Sequence, residues 1–171
     1  MSGLPDLRSV TPEEFRAILG HLPTSVVVVT AVDEHGPIGM TVGTFTSVSL
    51  DPMLVGFLPA DNSASWARIR AVGSFCANVL SADQVSLCQA FAARTKDKFS
   101  GVDWRASESG SPILPDVVAW IDCDIQSVCP AGDHVLVLGA IREIGVEPGA
   151  SPLIFHRGAF GRVHYAAAAA S

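Results

Sequence analysis

Apolar positions along this chain change period several times, and each change marks an element. After Thr11, residues Phe15, Ile18, Leu19 and Leu22 recur at helical spacing. Thr11 as N-cap, Pro12 at the first helical position and Glu14 three residues beyond the cap predict a helix over about 12–20 with one apolar face. From Thr24 the pattern becomes β-branched: TSVVVVTAV, a turn at DEHGPIG, the stretch GMTVGTFTSVSLDP (39–52), then LVGFLP. Three consecutive strands in an antiparallel meander are expected. Asn62 and Ser63 offer an N-cap for a short helix with Trp66, Ile69 and Val72 inward, followed by a strand at SFCANVL. Ser81 and Gln84 form the pattern of a second capping box, opening a helix to about Ala92. Residues 94–115 carry Ser, Gly, Pro and charge without periodicity, which predicts a long loop. Two runs of strand composition follow, VVAWIDCDIQSV and HVLVLGAIREIGV, joined by turn chemistry at CPAGD; then come a short PLIFHRGAFGRV and a frayed AAAAA tail.

Six or seven strands with three short helices make a mostly β, antiparallel fold, and a closed or partly closed barrel buries that many strands without exposed edges. The length of 171 residues suits one domain, with its core over about 12–163 and disordered tails at both ends.

The stretch 39–52 holds too many hydroxyls and glycines for an ordinary central strand. Period-2 alternation puts Met40, Val42, Val48 and Leu50 on one face, expected in the core. Gly39, Thr41, Gly43, Ser47 and Ser49 share the other, with Phe45. A face of so little side-chain volume leaves backbone amides and short donors open to something flat and polar, or it is simply a solvent-exposed strand face.

Charge and cysteine content narrow the classes. The formal charge of −6 argues against a nucleic-acid partner, because phosphate-backbone binding needs a basic face. The longest aliphatic run, 26–29, is too short to cross a bilayer. No basic segment followed by an apolar one opens the chain, so a cytoplasmic protein with Cys76, Cys88, Cys123 and Cys129 reduced is expected. No CxxC pair suggests zinc, and no metal site is expected. GxGxxG, GxxxxGK[ST] and GxSxG are all absent, which removes support for a Rossmann nucleotide site, a P-loop or a hydrolase elbow.

Three weaker features remain. Ser63 and Ser65 lie at a predicted helix N-terminus, where an anion is favoured, although plain capping is the usual explanation for such residues. RTKDK gathers Arg94, Lys96 and Lys98, the last two being the only lysines of the chain, into a phosphate-holding cluster or a solvated loop. His134, placed in the hairpin turn after Gly132 and Asp133, and His156 in FHRG are candidate polar contacts or ordinary surface histidines.

In order, GM and TSVSLDPMLVGF, NSASW, FCANVL, DKFSGVDW, GDHVLVLGAI and PLIFHRGAFG resemble the flavin reductase family with the FMN-binding split-barrel fold, over nearly the whole chain. The resemblance implies a mostly β, Greek-key-like split barrel and an NAD(P)H:flavin oxidoreductase that passes reduced FMN or FAD to a separate monooxygenase component. It further implies that Thr41, Val42, Gly43, Thr44, Phe45, Thr46 and Ser47 run along the isoalloxazine, with Leu58 and Pro59 closing beside them. Ser63 and Ala64 would meet the ribityl phosphate, and Phe91, Ala92 and Lys98 the phosphate or an adenylate extension. His134 would face the nicotinamide of NADH or NADPH, while Pro37, Met40, Phe155, His156, Arg157 and Gly158 would flank the pyridine nucleotide. Such a reaction needs two stacked rings about 3.5 Å apart and donors at the flavin's polar edge more than it needs an acid or base. A homodimer with the flavin near the interface is also implied. The chain departs from the family at Met53, where a second Pro is frequent, and at Phe155 or His156, where a Tyr often stands. An oxidase of the pyridoxamine-phosphate type and a non-catalytic flavin-binding module are the alternatives; the first needs more arginine than this chain carries.

Overall fold

The computed structural model describes residues 10–95 and 97–165; the expected disordered tails and Lys96 lie outside, wholly or in part. Helix α1 (Pro12–Leu19) carries the expected capping box, Thr11 and Glu14 bonding each other's backbone N–H. Short β1 (Thr24–Ser25) precedes β2 (Val27–Asp33) and β3 (Gly36–Val42), a hairpin. Then come β4 (Thr46–Leu50), β5 (Met53–Phe57), α2 (Ala64–Val72), β6 (Ser74–Val79) and α3 (Val85–Ala92). A two-stranded ribbon of β7 (Arg105–Ala106) and β8 (Pro112–Ile113) interrupts the segment expected to be all loop. The long hairpin β9 (Ala119–Ala131) and β10 (His134–Val146) and the short hairpin β11 (Leu153–His156) and β12 (Ala159–Arg162) complete the chain.

Seven strands form one antiparallel sheet in the order β3-β2-β6-β9-β10-β5-β4. The expected meander is therefore corrected: β3 and β4 do not pair but occupy opposite edges, and 39–50 is two strands broken at residues 43–45. In a flat sheet of seven strands those edges stand about 29 Å apart, at ~4.8 Å per strand. Yet the chain passes from Val42 to Thr46 in four residue steps, a reach of at most ~14 Å. The sheet must curl until its edges approach, which is the geometry of a split barrel.

Both faces of the curled sheet are covered, which explains the unbroken valine run. Val27, Val29 and Ala31 of β2 join Phe57, Phe75, Trp66 and Ile69 in one core, where Phe57 meets Phe75 edge-on at 5.2 Å and Trp66 at 5.9 Å. Val26 and Val28 enter a second core with Leu80, Phe91, Leu114, Trp120 and Leu153. A strand buried on both faces reads as continuous apolar sequence.

Three local expectations fail for identifiable reasons. The alternation read through 39–50 put Val48 and Leu50 in the core, but the break resets the phase and β4 is an edge strand, leaving them 47% and 89% exposed. Helix α1 forms as expected, with Phe15, Ile18 and Leu19 of its apolar face, and Leu22 just after it, all exposed. Helix α3 starts at Val85: Gln84 Oε1 accepts from the Ser81 N–H, but Ser81 and Ala82 are engaged by Pro152 and Ser151 and give no reciprocal cap. Finally, β9 extends through Ala131, so the turn is only Gly132 and Asp133, and His134 is the first residue of β10 rather than a turn residue. Gly132, at φ 72°, supplies the left-handed conformation that a two-residue hairpin turn needs.

Candidate functional site

Where the sheet edges approach, short polar side chains are open. Gly43, Thr44, Thr46 and Ser47 are exposed, Phe45 is half-buried, and Val42 turns its side chain into the first core. The Thr44 hydroxyl accepts from the Leu58 N–H at 2.9 Å, so the crossing segment is pinned to the residue that follows β5. Gly43 lies against β1: a Cβ there would stand 3.2 Å from Thr24 Oγ1.

The chain from Leu58 to Ser63 ties three further groups to this junction. Pro59 C=O accepts from the Val135 N–H and Asp61 N–H donates to Asp133 C=O, each at 3.1 Å, while Ala60 bridges His134. Ser63 N–H donates to Ala60 C=O, and Ser63 Oγ caps α2 by accepting from the Trp66 N–H at 3.3 Å. The N–H groups of Ala64 and Ser65 have no intrahelical acceptor, and no acidic residue occupies the first turn of α2. Such a helix end suits an anion. His134 stands half-exposed with Nδ1 2.7 Å from Asp133 Oδ1, and the bond to His134 holds the Asp133 carboxyl below the usual carboxylate range.

The FHRG hairpin approaches from the β1 side. Phe155 pairs with Thr24, the neighbour of Gly43, and the Arg157 N–H donates to Gly20 C=O. Arg157 and Gly158 both have positive φ, at 50° and 80°, forming the tight turn; Phe155, His156, Arg157 and Gly158 are exposed.

The remaining sequence candidates are placed elsewhere. The Gly39 and Thr41 face of β3 is not open: Gly39 is buried under Phe91, whose ring carbons would lie 2.3 Å from an added Cβ, and the Thr41 hydroxyl donates to Cys88 C=O of α3. Lys98 turns its ammonium inward, donating to Phe91 C=O at 2.8 Å and Gly39 C=O at 3.2 Å, and burial pulls its pKa down. Ala92 ends α3, exposed. Met40 packs partly against the first core. Pro37, beside the β2–β3 turn, is six residues and so roughly 20 Å of strand from Gly43. Within one chain, the junction thus unites Gly43 to Ser47, Leu58, Pro59, Ser63, Ala64 and His134, with the FHRG hairpin alongside. Asp133 was not among the sequence candidates, although its place next to His134 in GDH was the available signal.

An exposed donor strand, a helix N-terminus free of acidic residues and an Asp–His pair at the mouth of a split barrel fit a flat, polar-edged ring with a phosphate. The class this defines is the flavin-binding split barrel. Residues 19–164 match the family described as Flavin reductase like domain. A flavin reductase of Pseudomonas putida is 53% identical over 90% of this chain and 91% of its own length. The flavin-dependent monooxygenase reductase subunit HsaB of Rhodococcus jostii is 41% identical, over 89% of this chain and 78% of that protein. Among solved structures, the NADH:FAD oxidoreductase SgcE6 of Streptomyces globisporus, in complex with NAD and FAD fragments, superposes with a TM-score of 0.86 at 33% identity, covering 99% of this chain and all of that one. The chain belongs to the flavin reductase-like family.

Proposed function

We propose that the protein is an NAD(P)H:flavin oxidoreductase that reduces diffusible FMN or FAD and releases it to a separate monooxygenase component. The observation that carries this is the open junction of residues 43–47, with the α2 N-terminus and His134 tied to it through residues 58–63. The naming of HsaB as a monooxygenase reductase subunit supports the second half.

When bound, the flavin supplies the acceptor for a hydride delivered by the nicotinamide. The protein's part is placement and polarity. Backbone N–H groups of residues 44–47 and the Ser47 hydroxyl are the donors suited to the polar edge, where negative charge grows, since the Thr44 and Thr46 hydroxyls already donate to Leu58 C=O and Ser47 C=O; held by the Thr44 to Leu58 contact, the segment needs little reorganisation. Ser63 and Ala64 offer the phosphate a helix N-terminus, while the Lys98 ammonium spends two of its three donors on carbonyls of Phe91 and Gly39. Lys98 and Phe91 then act as supports, pinning α3 behind β3. His134, bridged to Ala60, and the FHRG hairpin, tied to β1 beside Gly43, are the groups suited to a nicotinamide laid over the flavin. The site lies open on one side and Phe15, Ile18, Leu19 and Leu22 are uncovered on and just after α1, which favours a homodimer that covers them. Among the described residues no helix is long and apolar enough to cross a membrane.

The test is nicotinamide oxidation by purified protein supplied with NADH or NADPH, with and without FMN or FAD. Turnover that requires added flavin and saturates with it is expected. Protein that stays yellow through gel filtration and turns over without added flavin would contradict the diffusible role, and no turnover under any combination would overturn the whole proposal.

A further inference from the structure

Two ionisable groups adjoin at the β9–β10 turn, Asp133 within it and His134 at the start of β10. Asp133 follows Gly132 in the two-residue turn, and its side chain is 95% exposed. Its backbone is engaged, the C=O accepting from the Asp61 N–H. Its carboxylate makes one bond among the described residues, Oδ1 to His134 Nδ1 at 2.7 Å. His134 is held at the backbone too, as the first ladder residue of β10 opposite Ala131 and the bridge partner of Ala60. Main-chain contacts therefore fix where the imidazole starts but leave open how the ring is turned and which nitrogen carries the proton.

We propose that Asp133 is a positioning residue for His134: its carboxylate accepts the Nδ1 proton and so presents Nε2, as a lone pair, to the opening. This inference rests on the proposed role of His134 beside the nicotinamide. In water a neutral imidazole favours the Nε2–H form, which would aim a donor outward. With Nδ1–H donated to Asp133, the neutral ring instead offers Nε2 as an acceptor, the complement of the carboxamide N–H of a nicotinamide. A carboxylate is suited to this because it has acceptors only. The lowered pKa of Asp133, caused first by its bond to His134, is consistent with a carboxylate that stays ionised beside the ring.

Two variants and two readouts separate the possibilities. D133N keeps an acceptor oxygen at the same place without the charge, whereas D133A removes it. The first readout is the tautomer of His134, taken from long-range proton–nitrogen spectra of the flavin-free protein above the imidazole titration range. Wild type and D133N are expected to be mainly Nδ1–H, and D133A mainly Nε2–H. The second is steady-state kinetics with FMN saturating: the KM for NADH should rise about five-fold in D133A with kcat nearly unchanged, and by less than about two-fold in D133N, as loss of one hydrogen bond made equally in ground and transition state requires. Wild-type tautomer populations in D133A would overturn the proposal, as would D133N behaving like D133A in the spectra. A tautomer change in D133A with unaltered KM, together with an unaltered KM in H134A, would leave the positioning intact and refute instead the nicotinamide role of His134.

Discussion

The covered state of the Gly39 face makes a sharp prediction, because an open flavin platform and a seat for α3 respond oppositely to one methyl group. In G39A the new Cβ would lie 2.3 and 2.4 Å from two ring carbons of Phe91, and 3.4 Å from one of Phe99. Carbon atoms in contact need about 3.5–4.0 Å. The Phe91 ring must therefore retreat by more than 1 Å, yet it is fully buried in the second core and stacked edge-on against Phe99 at 4.9 Å. Overpacking of this kind costs about 1–3 kcal/mol, offset by ~0.4–1 kcal/mol from the stiffer unfolded chain. A net loss of about 1–2 kcal/mol follows, or roughly 2–8 °C in Tm for a chain of this size. Urea and thermal unfolding of G39A measure it, and G39A/F91L should recover most of the loss by removing the obstructing ring. Full stability in G39A combined with lost FMN binding would refute the seat and restore the platform.

Four further outcomes are expected. G43V should retain the fold, since Gly43 is exposed and an added Cβ meets only the Thr24 side chain closely, but should abolish FMN binding in a fluorescence titration. T44V leaves the Leu58 N–H without its acceptor, so a loss of about 1 kcal/mol in unfolding free energy is expected, together with an FMN Kd raised several-fold. Asp33, gripped by the Arg68 guanidinium at 2.6 and 2.7 Å, has its carboxyl lowered from 3.8 to about 2; its stabilising contribution is complete above pH 4 and is lost as pH falls toward 2. In D33N that part of the acid limb should flatten in urea midpoints taken between those pH values. Burial pushes the Cys123 thiol up to about 12 and raises Cys76 and Cys88 as well, so a thiol reagent at neutral pH should label only exposed Cys129 in native protein and all four cysteines in denaturant.

What the sequence revealed follows from how locally each feature is determined. The capping box of α1 and the Ser63 cap of α2 are decided by a few adjacent residues, and both form as their spacing predicts. The four valines before Thr30 gave a strand, and only the curled sheet explains why no polar position interrupts them. The crossing at 43–45 stayed hidden because Thr and Ser continue a period-2 pattern through the break. The bonds of one hydroxyl, that of Thr44, to the backbone of Leu58, 14 residues away, hold that crossing. Helix α3 started late because Ser81 is engaged by a segment some 70 residues distant, which no local pattern reports. In the site, Thr44, Ser63 and His134 were legible from ordered motifs. Asp133 stands out only through a side-chain bond to its neighbour, which the sequence does not report. For Lys98 the sequence shows the charge but not the two carbonyls, of Phe91 and Gly39, that its ammonium also meets.

The central claim is that flavin lies at the open junction and not along β3, and hydrogen exchange with and without FMN tests it residue by residue. Added FMN should slow exchange at the amides of residues 43–47 and at those of Ala64 and Ser65. Residues 37–41, already paired with β2 and covered in part by α3, should be unchanged. Protection confined to 37–41 and the α3 region, with 43–47 and the α2 N-terminus exchanging as before, would contradict it.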